Sequence, residues 1–133
     1  MHGKNICLIG DGELAEGSNW EAMLFASHQK INNLTLIIDN NNLQSLTTVA
    51  DTLNLYPIDK KFEAFGWHVI EIDGHNFEQL ENALLQKVDR PTVIIAKTIK
   101  GKGVSFMENE VKWHYKNPNE EEYKTALLEI KNA

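Results

Sequence analysis

Apolar positions fall along this chain in short runs that alternate with segments of helical period. Residues 5–9 carry Ile6-Cys7-Leu8-Ile9, and residues 34–38 carry Leu34-Thr35-Leu36-Ile37-Ile38. Both runs are continuous rather than alternating, which predicts strands covered on both faces. Residues 67–72 and 92–97 predict two further strands. Between the strands, 18–30 places Trp20, Met23, Leu24 and Ser27 on one helical face, and 77–87 places Phe77, Leu80, Leu84 and Val88 on another. A short helix over 59–65 stops at Gly66, a residue suited to the position after a helix end. Arg90-Pro91 breaks the helix before the fourth strand. The segment 40–48 is polar and turn-rich, and 98–118 reads as irregular. A final helix starts after Asn119, a capping residue followed by Glu120, Glu121 and Glu122 in the first turn.

Four strands alternating with helices define an α/β fold, a parallel β-sheet with helices on both faces. The chain opens almost at once on a strand of central character, so the sheet is expected to be incomplete on its N-terminal side. Residues 1–133 are expected to form a single domain or part of one. A chain of 133 residues can bury about two-thirds of its unfolded surface.

Composition narrows the function classes. The net charge is −6, and the basic residues are scattered apart from Lys97-Thr98-Ile99-Lys100-Gly101-Lys102. Nucleic acid is therefore not an expected partner, because phosphate backbones are bound by clustered Lys and Arg. No apolar run approaches the ~20 residues that span a bilayer, so no membrane partner is expected. The polar N-terminus is no signal peptide, which points to the cytoplasm. The single cysteine, Cys7, lies in an apolar run and reads as a small buried hydrophobe. His2 is expected at a frayed end.

The candidate chemistry lies at two strand ends. Gly10-Asp11-Gly12-Glu13 closes the first run and Asp39-Asn40-Asn41-Asn42 closes the second. In an open α/β sheet these ends border the crevice where ligands bind. Gly12, just before a helix start, would let a phosphate approach backbone N–H groups. Such a phosphate beside Asp11 needs a cation between them, and Mg²⁺ (or Ca²⁺) is a hard ion that shares carboxylate, phosphate and water. Asn41 would add its amide oxygen and Leu43 a backbone carbonyl. Taken singly, each piece is also a plain turn. Trp113-His114-Tyr115 serves packing or an anion equally well, and the lysine-containing loop before it favours the anion. His75 follows an Asp-Gly turn and reads as structural; His28 receives no role. Glu16 reads as a helix-dipole acid and Glu21 as a solvated one.

Gly10-Asp11-Gly12 followed about thirty residues later by Asn40-Asn41 is similar to the thiamine diphosphate signature. More closely, the stretch from Gly10 to Ala22 resembles the transketolase family, as do Asp39 to Gln44, Phe65-Gly66-Trp67, Asp73-Gly74-His75, Lys97 to Gly103 and Trp113-His114. The resemblance runs in order through nearly the entire chain and is closest to the N-terminal subunit of split transketolases. It implies thiamine diphosphate and Mg²⁺ as cofactors, with Asp11, Asn41 and the Leu43 carbonyl as metal ligands. It implies Gly10, Gly12, Glu13, Lys100 and His114 around the diphosphate, with His114 also near substrate. Glu16 and Glu21 match family glutamates near a dimer interface, thought to relay protons between active sites. The implied reaction is transfer of a two-carbon ketol unit between sugar phosphates. The implied partners are a homo-oligomer, a pyrimidine-binding (C-terminal) transketolase subunit, or both.

This sequence also departs from the family. Nine residues precede Gly10, where the family has a long segment bearing histidines. These 133 residues are expected to hold no pyrimidine-binding domain. Ser45-Leu46-Thr47-Thr48 replaces an Asp-Gly turn, and Tyr115 replaces a Gly. The isolated chain is therefore expected to lack transketolase activity. Two other readings stand beside this one. The first is a non-catalytic, truncated cofactor-binding or assembly module. The second is a subunit of a related thiamine enzyme, a 2-oxo-acid dehydrogenase α subunit or a deoxyxylulose-phosphate synthase.

Overall fold

The apolar runs do form the strands. In a computed structural model, which describes residues 3–132, they are β1 (Asn5–Gly10), β2 (Leu34–Asn40), β3 (His68–Asp73) and β4 (Thr92–Lys97). They make one parallel sheet in the order β1-β2-β4-β3. Leu8 pairs with Ile37, and Ile94 pairs with both Ile37 and Ile70. The expectation for His2 lies outside the described residues.

Helices α1 (Gly17–His28), the one-turn α2 (Val49–Thr52), α3 (Ile58–Ala64) and α4 (Phe77–Leu85) connect the strands, and α5 (Glu120–Lys131) follows the last of them. Period-2 side-chain alternation sorts the sheet residues between its two faces. Leu36, Ile38, Val93 and Ile95 pack with Met23 and Ala26 of α1 and with Ile58 and Phe62 of α3. Ile72, Ile94 and Ala96 pack with Ala83 of α4, flanked by half-buried Leu80 and Leu84. The first face holds the aromatic centre of the core. Phe62 is fully buried, with Trp67 edge-on at 5.5 Å and Trp20 at 6.0 Å. The Trp67 indole N–H donates to the Met23 carbonyl at 3.0 Å, which ties β3's entry to α1. Gly66 takes φ of +84° after α3, a region that costs a side-chain-bearing residue and costs glycine little.

Several expectations need correction. Residues 5–9 were expected to be covered on both faces, but β1 is an edge strand. Ile6 is 54% and Leu8 67% exposed, and Cys7 is exposed rather than buried. Apolar content recorded the strand but not how little of the described chain packs over its faces. On α1 the inward stripe is Trp20, Met23 and Ala26, while Leu24 is half exposed. On α4 the Asn76 side chain caps the start by accepting from Gln79 N–H, and Phe77 in the first turn points to solvent. That helix stops at Leu85, so Val88 is not on its face. The polar 40–48 loop runs on into α2, capped by Thr48, which accepts from Asp51 N–H at 3.2 Å. Asn119 does start α5, in a capping box with Glu122.

Candidate cofactor-binding site

The parallel sheet brings the C-terminal ends of β1, β2 and β4 side by side, and the site is built there. Asp11 follows β1 directly. Its backbone N–H donates to the Asp39 carbonyl at 3.3 Å, extending the β1–β2 ladder one step past the strands. Its side chain is buried, with Oδ2 lacking any hydrogen-bond partner among the described residues. Burial holds this carboxyl above its ordinary value. The nearby Asp39 charge adds to that, against backbone N–H groups of Asn42, Gly12 and Asn41, which act the other way. A buried carboxylate oxygen without a donor is costly to leave so.

Asn41, at the end of β2, forms an Asx turn: its Oδ1 accepts from Leu43 N–H at 3.0 Å. An amide oxygen has two lone pairs, so one remains for another partner. Asn42 takes φ of +63°, turning the chain sharply, and Leu43 then bridges to Thr48. Gln44 folds back so that its Cγ lies 3.9 Å from where a Cβ on Gly12 would stand. Its Nε2 is the other buried polar side-chain atom without a partner among the described residues.

A cleft of about 500 Å³ opens beside these turns. Its polar wall includes Asp39, Asn41, His75, Thr98 and Lys100, and its apolar wall includes Leu8 and Ile37. Thr98 donates its hydroxyl hydrogen to Asp39 Oδ1. Lys100 is half-buried and makes no ion pair among the described residues. The loop after it is compact: Gly101, at φ +75°, leaves no room for a Cβ, which would meet the Met107 carbonyl oxygen at 2.6 Å. Asn109 N–H closes it on the Lys100 carbonyl at 2.9 Å.

The structure thus gathers some of the expected residues and separates others. Asn41 and Lys100 share the cleft, with Asp11 just behind it through Asp39. Gly12 precedes only the 3-10 turn Glu13–Ala15, and α1 starts later, at Gly17. The helix start expected right after Gly12 is therefore a single tight turn. Glu13 is engaged within its own turn, accepting from Gly10 N–H at 2.8 Å. Glu16 is exposed at the α1 cap position and Glu21 is exposed on α1. His114 is exposed in the 3-10 turn Val111–His114, edge-on to Tyr115 at 4.7 Å, and does not line the cleft. Asp39, Thr98 and Gln44 went unassigned from sequence. Asp39 stood in the Asp-Asn-Asn-Asn run at a strand end, which was signal enough to consider it.

Hard oxygen donors around a buried carboxylate with one unpartnered oxygen suit a divalent cation of the Mg²⁺ class. An unpaired lysine in the adjoining cleft suits an anion. This is the class of an α/β domain that binds a phosphate-bearing cofactor at the carboxyl ends of its strands. The chain belongs to the family described as "Transketolase, thiamine diphosphate binding domain", which matches residues 2–129. It is 46% identical over 127 residues to an apulose-4-phosphate transketolase subunit of Actinobacillus succinogenes, covering 94% of this chain and 46% of that protein. It is 48% identical over 112 residues to human transketolase, covering 83% of this chain and 18% of that protein. The crystal structure of the transketolase from Campylobacter jejuni superposes with a TM-score of 0.88 at 36% identity, covering 98% of this chain and 21% of that one. The chain thus spans about half the length of the subunit relatives and about a fifth of the longer transketolases.

Proposed function

We propose that this chain supplies the diphosphate and metal half of a transketolase-type active site. It would act with a pyrimidine-binding transketolase subunit, in a homo-oligomer or a mixed assembly, on sugar phosphates. The observation that carries this reading is the buried Asp11 carboxylate, whose Oδ2 has no hydrogen-bond partner among the described residues, set at the end of β1 beside Asn41 at the end of β2. Thiamine diphosphate, when bound, supplies the carbon nucleophile that lets a two-carbon ketol unit move from a ketose to an aldose.

The chain's own residues do the rest. Asp11, the second lone pair of Asn41 Oδ1 and the Leu43 carbonyl hold the Mg²⁺. Gly12 leaves the backbone bare for the phosphates, and Lys100 meets their outer charge from the cleft. Gln44 Nε2 is a ready donor beside Gly12. His114, outside the cleft, would need a further chain to bring substrate to it. Glu16 and Glu21 lie on the exposed side of α1, where a second subunit would meet them. That exposure of His114 favours the isolated chain's binding cofactor without turning over sugar phosphates.

Calorimetric titration of thiamine diphosphate, with and without Mg²⁺, tests the reading. Binding that depends on Mg²⁺ and is lost in both Asp11→Ala and Asn41→Ala is the expected result. Absence of binding in the chain alone and with a pyrimidine-binding subunit would overturn it in favour of a non-catalytic assembly module.

A further inference from the structure

We infer that His75, at the tip of the β3–α4 turn, is a positioning residue that braces the segment carrying Lys100. His75 Nε2 accepts a hydrogen bond from the backbone N–H of Ile99 at 2.8 Å, linking residues 24 apart in sequence. The turn that presents it is tightly set. Gly74 N–H donates to the Lys97 carbonyl at 2.8 Å, and His75 N–H donates to its neighbour Asp73 Oδ1 at 2.9 Å.

The turn also presses on the segment it braces. A Cβ on Gly74 would stand 2.5 Å from Thr98 Cγ2 and 3.2 Å from the Lys97 carbonyl oxygen. Thr98 cannot swing away freely, because its hydroxyl is bonded to Asp39. Residues 97–99 are therefore held from both sides: by Asp39 and the Asn40 carbonyl of β2, and by Gly74 and His75 after β3. Lys100 is the next residue, and it lines the cleft with His75. Long lysine side chains lose much rotamer freedom when ordered, so a fixed backbone origin lowers the cost of aiming the ammonium.

Accepting through Nε2 requires neutral His75 to carry its hydrogen on Nδ1. That tautomer is a signature that mere packing does not demand. The role of this brace toward a phosphate rests on the cofactor reading above; the brace itself does not.

The test uses the chain with and without thiamine diphosphate and Mg²⁺. Nitrogen-15 correlation spectra at about pH 8, where histidines are mostly neutral, should show His75 as the Nδ1–H tautomer. His75→Leu should speed exchange of the Ile99 amide about tenfold, the scale of one lost hydrogen bond, and lower the melting temperature by no more than a few degrees. It should weaken thiamine diphosphate binding about three- to tenfold. His75→Gln, whose Oε1 restores an acceptor, should recover both. An Nε2–H tautomer, or unchanged Ile99 exchange in His75→Leu, would overturn the brace. Faster Ile99 exchange with unchanged cofactor affinity would overturn its role toward Lys100. If the wild-type chain binds no thiamine diphosphate, the cofactor reading fails, and tautomer and exchange still decide the brace.

Discussion

The backbone N–H of Asp11 donates to the carbonyl of Asp39 at 3.3 Å, so two carboxylates leave adjacent strand ends close enough for one charge to oppose the other. They are satisfied unequally within the chain: Asp39 accepts from the Thr98 hydroxyl, while Asp11 meets backbone N–H groups and its Oδ2 has no donor among the described residues. The imbalance is stored where a cation would relieve it.

Asp11 should therefore destabilise the metal-free chain near neutral pH. Its folded value is raised above the ordinary 3.8, mainly by burial, so between the two values the folded state holds more protons than the unfolded. Stability then falls as pH rises from about 3.8 through the raised value, and the loss persists above it. Asp11→Asn, which removes the charge at constant shape, should stabilise the metal-free chain by about 1 kcal/mol at neutral pH. The same variant should lose the Mg²⁺-dependent gain in melting temperature that thiamine diphosphate gives the wild type. Thermal melts across pH, with and without cofactor and Mg²⁺, check both halves; a less stable metal-free variant refutes the first.

Asn41 has two tasks, and two variants separate them. Its Oδ1 sets the Asx turn through Leu43 N–H, and on the proposed reading its other lone pair would meet a metal. Asn41→Ala removes both and should weaken Mg²⁺-dependent binding by tenfold or more, about 1.4 kcal/mol. Asn41→Asp keeps an oxygen for the turn and adds charge beside Asp11, so it should raise metal affinity while destabilising the metal-free chain. Calorimetry and melts of both variants decide, and equal behaviour of the two would count against a ligand role.

The strands were legible because a buried parallel strand is a continuous apolar run, and Ile94 and Ile95 need no context to be read. Asp11 and Asn41 were legible as strand-end residues for a related reason, since an acid and an amide punctuate two such runs; that the two ends are neighbours comes from the sheet order. The exposure of Leu8 was not legible. The same Ile-Cys-Leu-Ile run serves a central strand or an edge, and sheet order depends on partners distant in sequence. The Thr98–Asp39 and His75–Ile99 bonds were hidden for that reason too, each joining turns that only the sheet brings together. For His114 the family motif carried no position: its 3-10 turn leaves it exposed and outside the cleft.

The capping box of α5 gives a prediction free of any cofactor. Asn119 accepts from Glu122 N–H at 2.9 Å, and Glu122 accepts from Asn119 N–H at 2.8 Å. The bond from Asn119 N–H, with Lys116 beside it, holds the Glu122 carboxyl below its ordinary value of 4.5. Asn119→Ala should cost about 1 kcal/mol of stability in denaturant titration. Its effect on cofactor binding should be negligible, because α5 does not line the cleft. Loss of cofactor affinity in this variant would show that α5 reaches the site.

β1 predicts association. It is an apolar edge with Leu8 at 67% and Ile6 at 54% exposure, and edge strands offer unpaired backbone groups to other chains. Half-exposed Leu24 and Phe25 on α1 add apolar surface. Patches of this kind mark interaction sites on soluble domains. The chain alone should therefore self-associate at concentrations of tens of micromolar, an order set by typical oligomer affinities. Leu8→Lys places a charge on the exposed face of β1 that also walls the cleft, and should shift the population toward monomer without lowering the melting temperature by more than about 1 °C, since the side chain is already in solvent. A pyrimidine-binding subunit that binds through α1 alone would leave the Leu8→Lys effect intact, whereas one that covers β1 would abolish self-association of the wild type. Light scattering of wild type and variant checks this, and a monomeric wild type at tens of micromolar would refute it.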